Sequence, residues 1–127
     1  MKKFLYIILL SLLPMASQAR EYKGTLYVGE SLVLESTRVE LVVTKNNTAT
    51  LKLYKVKFSK WMPVRVNIEI HNVSCDNGSL KLDHGTPTMD GKPYEKRKVA
   101  NLTGRYDEHT ISFTMKLGKS QVRFKCL

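Results

Sequence analysis

Apolar and polar residues alternate with period two along almost the whole chain after residue 20. Tyr22, Gly24, Leu26 and Val28 alternate with Lys23, Thr25 and Tyr27, and Val39, Leu41 and Val43 alternate with Arg38, Glu40 and Val42. The same pattern runs through Val64, Val66, Ile68 and Ile70, through Ile111, Phe113, Met115 and Leu117, and through Val122, Phe124 and Cys126. Successive side chains of a strand point to opposite faces, so strict alternation predicts one buried and one wet face, the pattern of antiparallel sheet. Runs near Thr48–Phe58, Gly78–Asp83 and Lys98–Tyr106 bring the series to about eight strands, a number that closes a small barrel. No segment carries a helical apolar stripe. Ser31–Ser36 fits either a turn of helix or a strand end.

The punctuation agrees. Lys45-Asn46-Asn47, Asp76-Asn77-Gly78 and Leu117-Gly118-Lys119-Ser120 read as tight hairpin turns. Two runs change phase. Leu51 and Leu53 are odd whereas Val56 and Phe58 are even; Ile70 is even whereas Val73 and Cys75 are odd. A one-residue slip would turn every later side chain to the wrong face, so bulges are expected near Tyr54-Lys55 and near His71-Asn72. The least regular stretch, 83–98, holds Gly85, Pro87, Gly91 and Pro93 and then Glu95-Lys96-Arg97-Lys98. It reads as a long loop, either functional or merely connecting.

The first nineteen residues follow another rule. Met1-Lys2-Lys3 is cationic, Phe4 to Leu13 is almost purely apolar, and Ser17-Gln18-Ala19 supplies the small residues a signal peptidase reads. The expectation is a secretory signal peptide at 1–19 and one domain at 20–127, periplasmic or secreted, with no lipobox cysteine. No second apolar stretch is long enough to span a bilayer. The 21 basic residues less Lys2 and Lys3, against 11 acidic ones, leave a mature net charge of +8. That charge either keeps the surface solvated or attracts anions such as lipid headgroups, an acidic glycan or an acidic protein. The compartment and the lack of a recognisable module argue against nucleic acid.

Tyr22-Lys23-Gly24-Thr25-Leu26 resembles the Tyr-x-Gly-x-Leu first strand of the calycin-like, lipocalin-related β-barrel family of secreted Bacteroides proteins. Asn47 to Leu53, Phe58, Met62-Pro63-Val64 and Ile68 to Val73 resemble its central strands, and Ile111-Ser112-Phe113 with Val122-Arg123-Phe124 its last hairpin. Arg65 stands where that family often has glycine. The resemblance implies an all-β, eight-stranded, antiparallel up-and-down barrel and supplies no catalytic residues. In such a barrel Cys75, past the fourth strand, and Cys126, ending the eighth, share one end. An oxidising compartment favours a Cys75–Cys126 disulfide over two buried thiols.

Candidate chemistry is sparse. His71, His84 and His109 show no metal-ligand spacing, and no Cys-x-x-Cys, His-Glu-x-x-His or Gly-x-Ser-x-Gly occurs. Adjacent Asp107 and Glu108 read as a turn, since neighbours on a strand face opposite ways. Asn46, Asn72, Asn77 and Asn101 open Asn-x-Ser/Thr triplets that serve either as glycan acceptors or as turn residues. Lys52, Lys55, Lys57 and Lys60 suggest a solvated outer face. The expectation is a non-enzymatic barrel without cofactor or metal. It binds a small apolar, amphipathic or lipid-like ligand through Phe58, Trp61, Met62, Tyr106, Phe113 and Met115, or else its interior is simply filled. The alternative is a cell-envelope interaction module, in which Lys96, Arg97 and Lys98 of the 83–98 loop and the basic face bind a protein or an acidic glycan.

Overall fold

The computed structural model describes residues 18–44, 47–58 and 60–126. Ten strands follow in chain order: β1 Gln18–Val28, β2 Leu32–Val43, β3 Thr48–Val56, β4 Val66–Asp76, β5 Ser79–Gly85, β6 Thr88–Met89, β7 Lys92–Pro93, β8 Val99–Tyr106, β9 Ile111–Leu117 and β10 Ser120–Cys126. The eight long strands pair antiparallel with their neighbours in sequence, and β1 pairs with β10. The result is a closed up-and-down barrel with no helix among the described residues. Most of the expected signal segment, 1–17, lies outside the described residues. Its last two residues extend β1, Gln18 opposite Val43 and Ala19 opposite Val42, so cleavage after Ala19 would leave β1 starting at Arg20 opposite Leu41.

The alternation builds the interior. Leu26, Val28, Val39, Leu41, Ile68, Leu102, Phe113, Met115 and Phe124 are buried, while Val43, Val66 and Tyr106 pack at the margins of the same core. Phe113 and Phe124 stack with ring centres 5.5 Å apart across β9 and β10. The outer face carries Arg, Lys, Thr and Ser, the reverse of a membrane-spanning barrel, which is apolar outside.

Four bulges keep this pattern in phase. Register shifts fall beside Ser36 in β2, Lys55 in β3, Asn72 in β4 and Asn101 in β8, and each of these residues has left-handed backbone, with φ of 60°, 54°, 62° and 54°. A residue placed there lets the next side chain return to the inner face and sharpens the local twist, which closes the sheet. In β2 the turn is sealed by buried Thr37, whose Oγ1 donates to the Leu34 carbonyl at 2.9 Å. Asn72, Asn77 and Asn101 of the Asn-x-Ser/Thr triplets all stand in left-handed backbone, which asparagine tolerates better than most residues. Asn46 lies outside the described residues.

Gly24 and Gly104 make the close strand crossings possible. Gly24 lies opposite Cys126 and Gly104 opposite Phe113. A Cβ on Gly24 would meet the Lys125 carbonyl, with the Cys126 Cα at 2.8 Å, so β1 closes on β10 only because that side chain is missing.

The 83–98 stretch is more ordered than a long loop. β5 continues to Gly85, and β6 and β7 form a two-residue hairpin around Asp90 and Gly91, both at positive φ. β4 pairs with β5 only at Ser74–Asp76 and then takes β6 as its partner at Ile68 and Glu69. The hairpin therefore patches the gap where β5 leaves β4. Asn67 pins it: its backbone N–H donates to Asp90 Oδ1 at 2.9 Å, its carbonyl accepts from the Asp90 N–H at 2.9 Å, and its side-chain Oδ1 accepts from the Lys55 N–H at 3.0 Å.

Candidate functional site

The barrel interior is filled. The cavity lined by Leu26, Leu53, Phe58, Met115 and Val122 amounts to about 10 Å³, the room of roughly one water. Phe113 and Met115 are core side chains at 2 % and 0 % exposure. Tyr106 is half-buried and donates its hydroxyl to the Cys75 carbonyl at 3.1 Å, at the end of the barrel opposite Phe58. The six side chains expected to line one ligand site are thus divided between the core and both barrel ends.

At one end Phe58 serves as a plug. Its backbone N–H donates to Met62 Sδ at 3.3 Å, its ring meets Tyr94 with centres 6.2 Å apart, and the Arg97 guanidinium lies 4.5 Å above it. Arg97 also reaches Ser120 Oγ at 3.4 Å. Expected as a docking cation, Arg97 instead packs against the barrel end, because its flat guanidinium stacks on an aromatic face. Lys96 and Lys98 are exposed. Trp61 stands outside the plug at 89 % exposure.

The other end holds Cys75, Cys126, Tyr22 and the 107–110 turn. Tyr22 is buried and donates its hydroxyl to the Asp107 carbonyl at 2.6 Å, tying β1 to that turn; burial pushes its phenol pKa up. The two cysteines share this end as expected, but the expected disulfide is absent and both are free thiols. The reason lies in the topology. Counted around the eight-stranded wall, β4 and β10 are four strands apart in either direction and so face each other across the mouth. A disulfide needs Cα atoms within about 7 Å, whereas facing sheet layers lie about 10 Å apart. The Cys126 thiol instead lies 3.5 Å from the Lys23 carbonyl and 3.8 Å from the His109 carbonyl. Burial pushes the Cys75 thiol pKa up.

The feature with chemistry to offer lies on the outer wall. Register places Arg105, Ser112, Lys125 and Thr25 in one row across β8, β9, β10 and β1, and Thr103, Thr114, Arg123 and Tyr27 in the next. All of these except Thr25 line a shallow groove of about 640 Å³. No carboxylate occurs in β8, β9 or β10. Arg123 lies 4.7 Å over the Tyr27 ring, which holds its guanidinium along the groove, and the Thr103 and Thr114 hydroxyls approach to 3.4 Å. The opposite wall is different. Lys52 there bridges Glu40 at 3.9 Å and Glu69 at 3.6 Å, and between the two walls, where β2 meets β1, Arg38 pairs with Glu21 at 3.5 Å. The excess positive charge is therefore polarised toward β8–β10, and of the four lysines expected on a solvated outer face Lys52 is ion-paired.

Among the described residues, other titratable groups form no reacting constellation. His71 Nδ1 meets Thr50 Oγ1 at 3.1 Å. Asp107 Oδ1 accepts the backbone N–H groups of His109 and Thr110 at 2.8 and 2.7 Å, as a turn residue does. No group of three or more His, Cys, Asp and Glu able to hold a metal occurs among the described residues. No protein-family model, curated protein or solved structure matches the chain.

Proposed function

We propose that this protein is an exported, non-enzymatic barrel of the calycin-like kind that binds an acidic glycan on the outer face of β8, β9, β10 and β1. The observation that carries this reading is the pair of rows led by Arg105, Lys125 and Arg123 on strands without a carboxylate. Arginine offers a planar fork to carboxylate or sulfate, and the neighbouring Thr and Ser hydroxyls offer partners to sugar hydroxyls. A shallow groove open along the outer wall suits a chain lying across the strands better than a compact molecule. The reading of residues 1–19 as an export signal supports a setting in which acidic glycans occur. The filled interior removes the main support for a ligand held inside the barrel.

Heparin and dextran sulfate, with neutral dextran as control, test this reading by affinity chromatography and titration calorimetry. Binding to both sulfated polymers is expected, weakening with salt. Arg105→Glu combined with Arg123→Glu should weaken it about tenfold or more. Lys92→Glu, a charge reversal on β7 away from the groove, should leave most of it. Equal weakening by both changes would reduce the face to net charge alone and overturn the reading. So would tighter binding to acidic polypeptide than to either glycan.

A further inference from the structure

The connection between β3 and β4 exposes apolar side chains that the core does not use. Trp61 is 89 % exposed and Val64 62 %, within the unbroken apolar run Trp61-Met62-Pro63-Val64. Such a run at a water-facing tip is a liability unless something covers it. Its base is fixed: Met62 Sδ accepts the Phe58 N–H, and Arg65 Nη1 donates to the Lys55 carbonyl at 3.2 Å. Phe58 and Met62 already close the barrel end, so Trp61 and Val64 project beyond it.

The charges around this tip are mainly positive. Lys57, Lys60 and Arg65 lie in the same connection, which holds no carboxylate, and Lys96, Lys98 and Lys119 stand on connections at the same barrel end. Four exposed carboxylates stand at this end, Glu30, Glu95, Asp90 held by Asn67, and Glu35 in the depression that Arg65 lines, and the six cations outnumber them. Indole prefers the boundary between water and lipid, and lysine and arginine are drawn to anionic headgroups while their stems lie along the apolar layer. We propose that this end of the barrel docks on an anionic lipid surface, with Trp61 and Val64 at headgroup depth and Lys57, Lys60 and Arg65 against the lipid phosphates. The apolar element is a projecting tip, which a fluid interface accepts without a complementary pocket; an acidic protein would have to supply one. The surface is separate from the glycan-binding face, so either proposal can fail alone.

Trp61 is the only tryptophan, so the protein carries its own probe. The mature protein is mixed with vesicles of phosphatidylglycerol and phosphatidylcholine, and with vesicles of phosphatidylcholine alone. A blue shift of Trp61 emission and co-sedimentation are expected with the anionic vesicles only, both reversed by high salt. Trp61→Ser with Val64→Ser should cut co-sedimentation about tenfold while circular dichroism shows the barrel intact. Arg105→Glu with Arg123→Glu should still sediment with vesicles. The proposal falls if emission does not move with anionic vesicles, if the double serine variant sediments as well as the parent, or if poly-glutamate shifts the emission and vesicles do not.

Discussion

The guanidinium of Arg97 lies 4.5 Å from the centre of the Phe58 ring, and this contact joins the two longest connections of the barrel. The aliphatic stem of Arg97 also covers Gly118, where a Cβ would come within 3.0 Å of its Cγ. Phe58→Ala removes the ring that closes the interior above Leu53 and Met115, and should cost about 3 kcal/mol. Arg97→Ala should cost about 1 kcal/mol. Because the two share one contact, the double variant should cost less than the sum, as measured by urea unfolding in a double-mutant cycle. Additive losses would mean that Arg97 acts through Ser120 rather than through the ring.

Gly104 faces Phe113 across β8 and β9, and the approach is too close for a side chain. A Cβ there would meet the Ser112 carbonyl, with the Phe113 Cα at 2.8 Å, and backbone cannot yield as a side chain can. Gly104→Ala should therefore destabilise by about 2 kcal/mol. Gly85 is the control, since its Cβ would meet only the Leu82 side chain, crowding its Cδ2 methyl at 2.9 Å, which can rotate away. Gly85→Ala should cost less than about 1 kcal/mol. Similar melting temperatures for the two variants would show that the strand crossing at Gly104 is looser than its geometry implies.

Strand pairing was legible because period two is local, and two bulges were legible because the parity change brackets Lys55 and Asn72 closely. The same signal marks the other two: buried Leu34 is even and Val39 odd, and buried Val99 is odd and Leu102 even. Those slips are easy to pass over, because Ser36 and Asn101 sit in runs rich in polar residues. The cationic face was hidden for a different reason. Arg105, Lys125 and Arg123 become neighbours only once β8, β9 and β10 are in register, so no window of sequence holds them together. The 83–98 segment read as irregular because β6 and β7 are two residues each, too short to alternate. Its order comes from β4 and Asn67, which lie outside the segment.

The cysteines show how far topology alone carries an argument. Strand order puts Cys75 and Cys126 at one end of the barrel, but β4 and β10 are facing walls, so a shared end is not a contact. The free thiols should differ in reactivity. Cys75 is 5 % exposed, and burial pushes its pKa up, which lowers its thiolate fraction at neutral pH. Cys126 is only partly buried. In the native protein a thiol-exchange reagent should label Cys126 first, with Cys75 labelled only on unfolding. Peptide mapping after a short pulse reads this directly, and Cys75 labelled as fast as Cys126 would contradict the burial.

The turn at Asp107 should give the barrel a measurable acid sensitivity. Asp107 Oδ1 accepts from the His109 and Thr110 N–H groups at 2.8 and 2.7 Å and from the Thr110 hydroxyl at 3.2 Å. The two backbone donors are the main reason its pKa lies below the ordinary carboxylate value of 3.8. A group whose folded pKa is depressed contributes stability that is fully present above its unfolded value and is lost as pH falls through the folded one. The contribution should therefore be intact above 3.8 and decline below it. Asp107→Asn keeps an oxygen acceptor but cannot titrate, so it should be less stable than the parent at neutral pH and converge with it in strong acid. Urea midpoints measured across the acid range would show this convergence. Parallel curves for the two proteins would mean that the turn holds its shape without the charge, and that Tyr22, through the Asp107 carbonyl, fixes it instead.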